Sequence, residues 1–379
     1  MRKLLLIATT ALVVLSVAAP AGAVNLPPSQ SQVTSASIQD GRILWFQRND
    51  RVKHKKRGGR LIKRGVGAIY ARALDSKRAA RVYMPPPGNR IVSFKARAGR
   101  IVLGLATIAK DNRGPSSIVE LTPSQEPTWS ARTLATDADP IDGVDCGSRV
   151  HLVDVRSDGK VLAERSRLEA RGDSCLLVRQ HSALISLDAD ATEALVGERA
   201  SGWASERKWN LLPSLIPIAT DALMQLQDSV NGMRYPTALW MPADDKLRSV
   251  PGTTIGANLI ERLGDESLLL RAWSFSAEVL APASEPMKLT ALANEESWRN
   301  SWYRACGNRL LEIHRRYGYR PGIPKWQLTL RTPDGEAIRT LKQKIPAGAA
   351  FDACNQSTVV FHRPRHDGGI RQWAVSLGA

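Results

Sequence analysis

Short apolar runs, each entered through Gly, Asn or Asp, recur along this chain, and none is long enough for a buried helix. They read "GRILWFQR" (41–48), "GRIVLGLA" (99–106), "GSRVHLVDV" (147–155) and "TEALVGER" (192–199). Three more follow: "DESLLLRAW" (265–273), "GNRLLEIHR" (307–315) and "NQSTVVFHR" (355–363). Anchored on Ile43, Ile101, Val150, Ala194, Leu268, Leu310 and Val359, the steps between them are 58, 49, 44, 74, 42 and 49 residues. Four of the six fall within the period of a four-stranded propeller blade, so each run is read as the second strand of one blade. The remaining two steps require insertions.

Where the unit is cleanest, all four strands can be read. "SWYRAC", "RLLEIHRR", "WQLTLRT" and "AIRTLKQK" follow one another, with a "PDG" turn before the last. The final unit stops after its third strand, "RQWAVSLGA", and "LPPSQSQVTSASIQDG" near the N-terminus can supply the missing edge and close the ring. The expectation is an all-β chain forming one seven-bladed propeller over 24–379; a pair of β-sandwich domains is the alternative. The layout resembles the TolB-like and WD-repeat-like propellers of exported bacterial proteins, without a Trp-Asp ending or a Gly-His signature. A closed ring of this kind is read as a monomer.

The first long step carries "RNDRVKHKKRGGRLIKRG" (48–65), with nine Lys or Arg against one Asp. Such a run cannot bury itself and is expected to form a solvated hairpin. Its candidate binding residues are Arg51, Lys53, Lys55, Lys56, Arg57, Arg60, Lys63 and Arg64. It has no aromatic residue to stack on bases, so specific nucleic-acid recognition is not expected. The second long step carries residues 202–236, read as an insertion. Within it "PIATDALMQLQDSV" spaces its apolar residues like an amphipathic helix, and Trp203 and Trp209 are candidates to line a groove for a sugar or peptide. In a blade with strands A to D, the B–C and D–A turns emerge on one face and the A–B and C–D turns on the other. Both insertions interrupt B–C turns, so both are expected on the same face.

The N-terminus changes the setting. "MRKLLLIATTALVVLSVAAPAGAVN" has two basic residues, an apolar run and Ala21-Gly22-Ala23 before Val24, the layout of a signal peptide spanning 1–23. The mature protein is therefore expected outside the cell or on its surface, with no transmembrane segment. Formal net charge is +17 for the chain, and loss of Arg2 and Lys3 leaves about +15. That excess favours an anionic cell-surface polymer or an envelope protein as partner.

Four cysteines in an exported chain make two disulfides. Cys146, Cys306 and Cys354 each precede a presumed second strand, and Cys175 opens a presumed fourth. All four then lie on the A–B face, which pairs Cys146 with Cys175 and Cys306 with Cys354. Catalytic signals are poor. Six histidines include no HExxH pair, and "GDSC" is not a nucleophile elbow. Asp137, Asp139, Asp142 and Asp145, like Asp188 and Asp190, could be imagined around Ca²⁺ but lack the spacing of a calcium loop, so turn chemistry is the expected role. No cofactor or metal is expected. The functional expectation is a non-catalytic binding or scaffold propeller, with a secreted lyase or glycosidase acting on polysaccharide as the alternative.

Overall fold

A strand sandwiched between two sheets has no solvent face, so its sequence reads as a continuous apolar run rather than an alternation. The computed structural model describes residues 24–26, 32–48, 51–54, 60–63, 65–107, 116–124, 128–137, 148–171, 174–198, 214–218, 222–228, 234–242, 246–250, 257, 259–271, 277–282, 287–292, 301–316, 325–345, 349–364 and 370–378. β1 (Val24–Leu26) comes first. Blade one opens with β2 (Gln32–Gln39) and β3 (Arg42–Arg48). A separate hairpin of β4 (Arg51–His54) and β5 (Arg60–Lys63) follows, and β6 (Ala68–Ala73) and β7 (Ala80–Tyr83) complete the blade.

Blade two is β8 (Asn89–Arg97), β9 (Arg100–Thr107), β10 (Ser116–Thr122) and β11 (Ser130–Thr136). Blade three is β12 (Ser148–Val155), β13 (Val161–Arg171), β14 (Ser174–Leu187) and β15 (Glu193–Glu198). Blade four is β16 (Ser214–Ile218), β17 (Ala222–Asp228), β18 (Arg234–Met241) and β19 (Lys246–Ser249). Blade five is β20 (Leu259–Leu263), β21 (Ser267–Arg271), β22 (Ala277–Ala281) and β23 (Lys288–Leu292). Blade six is β24 (Ser301–Cys306), β25 (Arg309–Arg316), β26 (Lys325–Arg331) and β27 (Ala337–Lys344). Blade seven is β28 (Ala350–Cys354), β29 (Thr358–Pro364) and β30 (Ile370–Ser376), with β1 as its outermost strand.

Every blade is an antiparallel meander, and the first strands of neighbouring blades touch around the interior, β2 meeting both β8 and β28. The protein is a seven-bladed β-propeller, and the sandwich alternative is excluded. Its hydrophobic clusters fall between neighbouring blades, one at each junction of the ring. Alternate residues of a second strand serve opposite junctions. In β3, Ile43 and Trp45 pack toward blade seven while Leu44 and Phe46 pack toward blade two. In β21, Leu268 and Leu270 face blade four and Leu269 faces blade six. Both faces are dry, which is the physical origin of the apolar runs.

Two of those runs are not second strands. "GSRVHLVDV" is the first strand of blade three, β12, and "TEALVGER" is its outermost strand, β15. Neither is continuously buried: His151 in β12 is exposed, and Leu195 in β15 is 63% exposed. The apparent insertion at 202–236 therefore dissolves, because residues 214–218 and 222–228 are the first two strands of blade four. The expected helix over "PIATDALMQLQDSV" is likewise replaced by the end of β16 and by β17. Leu223, Met224, Gln225 and Leu226 are buried in succession, so no period of two survives to mark the strand.

The ring closes through the N-terminus as expected, although the segment divides. Val24, Asn25 and Leu26 pair with Gln372, Arg371 and Ile370 on the edge of blade seven, while Gln32–Gln39 begins blade one. The junction of blades seven and one also holds a polar chain. Arg72 donates from Nε to Gln372 Oε1 at 3.4 Å, and Gln372 donates from Nε2 to Asp352 Oδ2 at 3.2 Å. Asp352 is hydrogen-bonded through its other oxygen to His362 Nδ1. Arg72 and Gln372 are buried, and burial lowers the Arg72 pKa. One junction away, a disulfide joins Cys306 to Cys354 at a Cα separation of 5.0 Å, the pairing expected between the last two blades.

Two stability changes follow. Gln372→Leu strands the buried Arg72 and Asp352 groups and is expected to cost on the order of 2 kcal/mol. A lowered denaturant midpoint at unchanged slope would show it. The double change Cys306→Ser with Cys354→Ser releases a link spanning 48 residues. The chain-entropy relation gives about 4 kcal/mol for a loop of that size, which a comparison of denaturant midpoints with the wild type measures.

Candidate functional site

Loops on a rigid scaffold are where propellers present side chains to partners, so the two faces of the ring are considered in turn. On the B–C face, β4 and β5 form an antiparallel hairpin between the second and third strands of blade one. Its register sets Arg51 opposite Lys63, Val52 opposite Ile62, Lys53 opposite Leu61 and His54 opposite Arg60. Lys55, Lys56, Arg57 and Arg64 lie outside the described residues. The base of the hairpin is held in two ways. The Ile91 backbone N–H of blade two donates to Val66 O at 3.1 Å. Gly67 then turns the chain into β6 with φ of 81°, where a Cβ would also strike the Phe46 ring.

The second expected element of this face is corrected. Trp203 and Trp209 lie outside the described residues, and residues 214–218, 222–228 and 234–236 of that segment belong to blade four. A different extension stands on the B–C face. In blade three, β13 and β14 continue their ladder past the start of β12, pairing Leu168 with Leu177 and Arg171 with Ser174. Cys175 lies in this extension, opposite Ala170. It therefore belongs to the B–C face rather than the A–B face, because "GDSCLLVRQ" opens a third strand and not a fourth. Cys146 lies outside the described residues.

The A–B side of the interior is crossed by ion pairs. Arg97, ending β8 in blade two, pairs with Asp265 in the first turn of blade five, on the opposite side of the ring, and donates to Gly264 O at 3.4 Å. Arg262 of blade five donates to Asp154 Oδ2 of blade three at 2.9 Å and to Pro217 O of blade four at 3.3 Å. Lys95 Nζ lies 3.6 Å from the same carboxylate oxygen.

At the junction of blades five and six, Glu261 of β20 meets Arg304 of β24, and Arg271 at the B–C end of β21 lies on the same face of blade five as Glu261. Arg304 NH2 lies 2.7 Å from Glu261 Oε1, and the Ala305 N–H donates to Glu261 Oε2 at 2.9 Å. Burial lowers the Arg304 pKa against the opposing pull of Glu261 and Asp352. Burial and then repulsion from Arg304 lower that of Arg271, with Glu261 opposing. Sequence reading missed these residues. Each is one charge within or at the end of an apolar run, and nothing in their spacing shows that blades five and six converge there.

The aspartates behave mainly as turn and cross-strand ties. Asp188 Oδ1 accepts the backbone N–H groups of Asp190 and Thr192, both at 2.9 Å. Asp137 accepts from Ser116 and from the Val150 N–H. Asp139, Asp142 and Asp145 lie outside the described residues. Among the described residues no group of three or more His, Cys, Asp or Glu side chains could hold a metal ion. Among the same residues no helix is long and apolar enough to cross a membrane. His362 and Asp352 meet, but the Asp352 side chain is 1% exposed, so this pair belongs to the interior.

No family model matches the chain, and no curated protein matches it. Solved structures are similar to it in fold. The WD40 β-propeller domain of Doa1 is 10% identical over 93% of this chain and 95% of its own, with a TM-score of 0.46. The Cps50 (Swd1) β-propeller domain of Myceliophteria thermophila has the same identity and TM-score, over 93% of this chain and 99% of its own. Prolyl oligopeptidase B from Galerina marginata is 11% identical, with a TM-score of 0.48 over 92% of this chain but 50% of its own; the chain thus spans about half the length of that peptidase. At these identities the likeness is one of fold, a propeller shared by WD40 proteins and peptidases.

Proposed function

We propose that the chain is an exported, non-catalytic binding propeller that holds an anionic cell-surface polymer through the hairpin of blade one. The observation that carries this reading is the β4–β5 hairpin itself. Eighteen residues with nine Lys or Arg and one Asp are displayed from a B–C turn whose base is fixed to blade two. A rigid base with a charged tip suits a flexible polyanion, because affinity comes from summed charge rather than from a shaped pocket. Export is supported by the signal-like N-terminus and by the Cys306–Cys354 disulfide, which persists in an oxidising compartment. Cleavage after Ala23 would also leave Val24, the first residue of the closing strand β1, at the new terminus.

The test is retention on cell-wall fractions across a salt series, comparing wild type with a variant lacking residues 51–64. That deletion spares the β3–β6 ladder, which ends at the Gln47–Ala68 pair. Wild-type retention is expected to fall steeply as the screening length shrinks from about 10 Å at 0.1 M salt toward about 3 Å at 1 M. The variant is expected to bind at least about tenfold more weakly at low salt, a loss of 1.4 kcal/mol or more. Equal retention of the two proteins at low salt would refute the hairpin's role. Shortening of the polymer by the wild type would place the protein among enzymes instead.

A further inference from the structure

Away from the basic hairpin, the junction of blades five and six holds a second set of cations. Glu261 has both carboxylate oxygens committed, one to Arg304 and the other to the Ala305 N–H. The Arg304 guanidinium lies over the Phe351 ring, its Cζ 4.0 Å from the centroid, so its plane is fixed by stacking as well as by the ion pair. Its Nε is buried without a hydrogen-bond partner among the described residues. Arg271 ends β21 on the B–C side, paired with Leu259 and so on the same face of blade five as Glu261, where Arg304 and Glu261 both act on its charge; its side chain makes no hydrogen bond among the described residues.

Two guanidiniums therefore stand beside one carboxylate, whose single negative charge cannot balance both. The next acid, Asp352, is buried and turned to His362 and Gln372. The Arg304 and Glu261 side chains each keep 20% exposure, so the cluster is reachable from solvent. The Arg271 fork, which has no side-chain hydrogen bond among the described residues and lies beside the stacked Arg304, matches a carboxylate, which accepts two parallel hydrogen bonds from one guanidinium. Glu261 already shows how this wall engages such a group.

We propose that Arg271 and Arg304 form a carboxylate-binding subsite on the inner wall of blades five and six, taking the acid group of a uronic-acid unit. The identity of the polymer as an acidic polysaccharide rests on the function proposed above, whereas the subsite rests on its own geometry. The hairpin would gather the chain by charge alone, and the arginine pair would register one sugar against the ring.

The test is calorimetric titration of the full chain with glucuronate, with glucose and inorganic phosphate as comparison ligands. Glucuronate is expected to bind wild type and the 51–64 deletion equally, while glucose gives no signal. Arg271→Gln is expected to weaken glucuronate at least about tenfold, and Arg271→Lys several-fold, since it keeps the charge but loses the fork. Because the Arg271 side chain makes no hydrogen bond among the described residues, both variants are expected to unfold at the wild-type midpoint. Equal glucuronate affinity in wild type and Arg271→Gln overturns the subsite, as does phosphate binding as tight as glucuronate. Glucuronate binding that survives while hairpin deletion leaves polymer retention unchanged upholds the subsite and removes the hairpin reading alone.

Discussion

The junction between blades seven and one is the constraint on which the ring depends. Each of the other junctions joins blades that follow one another along the chain, whereas this one joins the two ends. Its ladder is the three-residue pairing of β1 with β30, and its buried apolar set, Ile43, Trp45, Val360, Ile370 and Ala374, is small. Opening it would expose a strand edge on blade seven and the blade-seven-facing side of β3. The Arg72–Gln372–Asp352–His362 chain works at this seam. A buried arginine is costly unless its donors find acceptors, and here Gln372 passes the compensation inward to Asp352. A seam held partly by directional polar bonds also fixes how blade one meets blade seven, since the Arg72 fork reaches Gln372 only in one alignment of the two blades.

How much of this was legible in the sequence follows from burial on both faces. Second strands such as β3, β9, β21, β25 and β29 pack against a blade on either side, so their apolar runs are unbroken and stand out. The rule failed at β12 and β15, where β-branched and apolar residues sit in strands with exposed positions. It also failed at β17, whose buried run contains Gln225 and looked helical when read on from β16. Those misreadings moved blade boundaries by a strand or more, and with them the face assigned to Cys175. The Cys306–Cys354 link was readable because both cysteines end first strands of adjacent, correctly placed blades. The arginine pair was not, because it depends on two inner strands meeting across a junction.

The faces of the ring divide the charged residues by role. On the A–B side, Arg97–Asp265 and Arg262–Asp154 join blades that are not neighbours, so they brace the interior against shear between blades. Elsewhere Glu120 accepts from both Arg100 and Arg132; burial opposes its ionisation, but those two partners together hold its pKa below the usual carboxylate range. These acids are consumed by the scaffold.

That consumption bears on where the excess positive charge is expressed. Residues 48–65 carry nine basic and one acidic side chain, close to half of a net charge of +17. Charge spread evenly over a surface raises solubility and little else, whereas charge concentrated on one projection creates a local field that a polyanion follows. Field alone has no register: it falls away within a Debye length in salt and does not distinguish one unit of a polymer from the next. Selectivity requires donors of fixed direction in a partly dehydrated place, which is the part proposed for the stacked guanidinium of Arg304 beside Arg271. In the function proposed, the hairpin and the arginine pair would answer different physical requirements, capture and registration, and neither would substitute for the other.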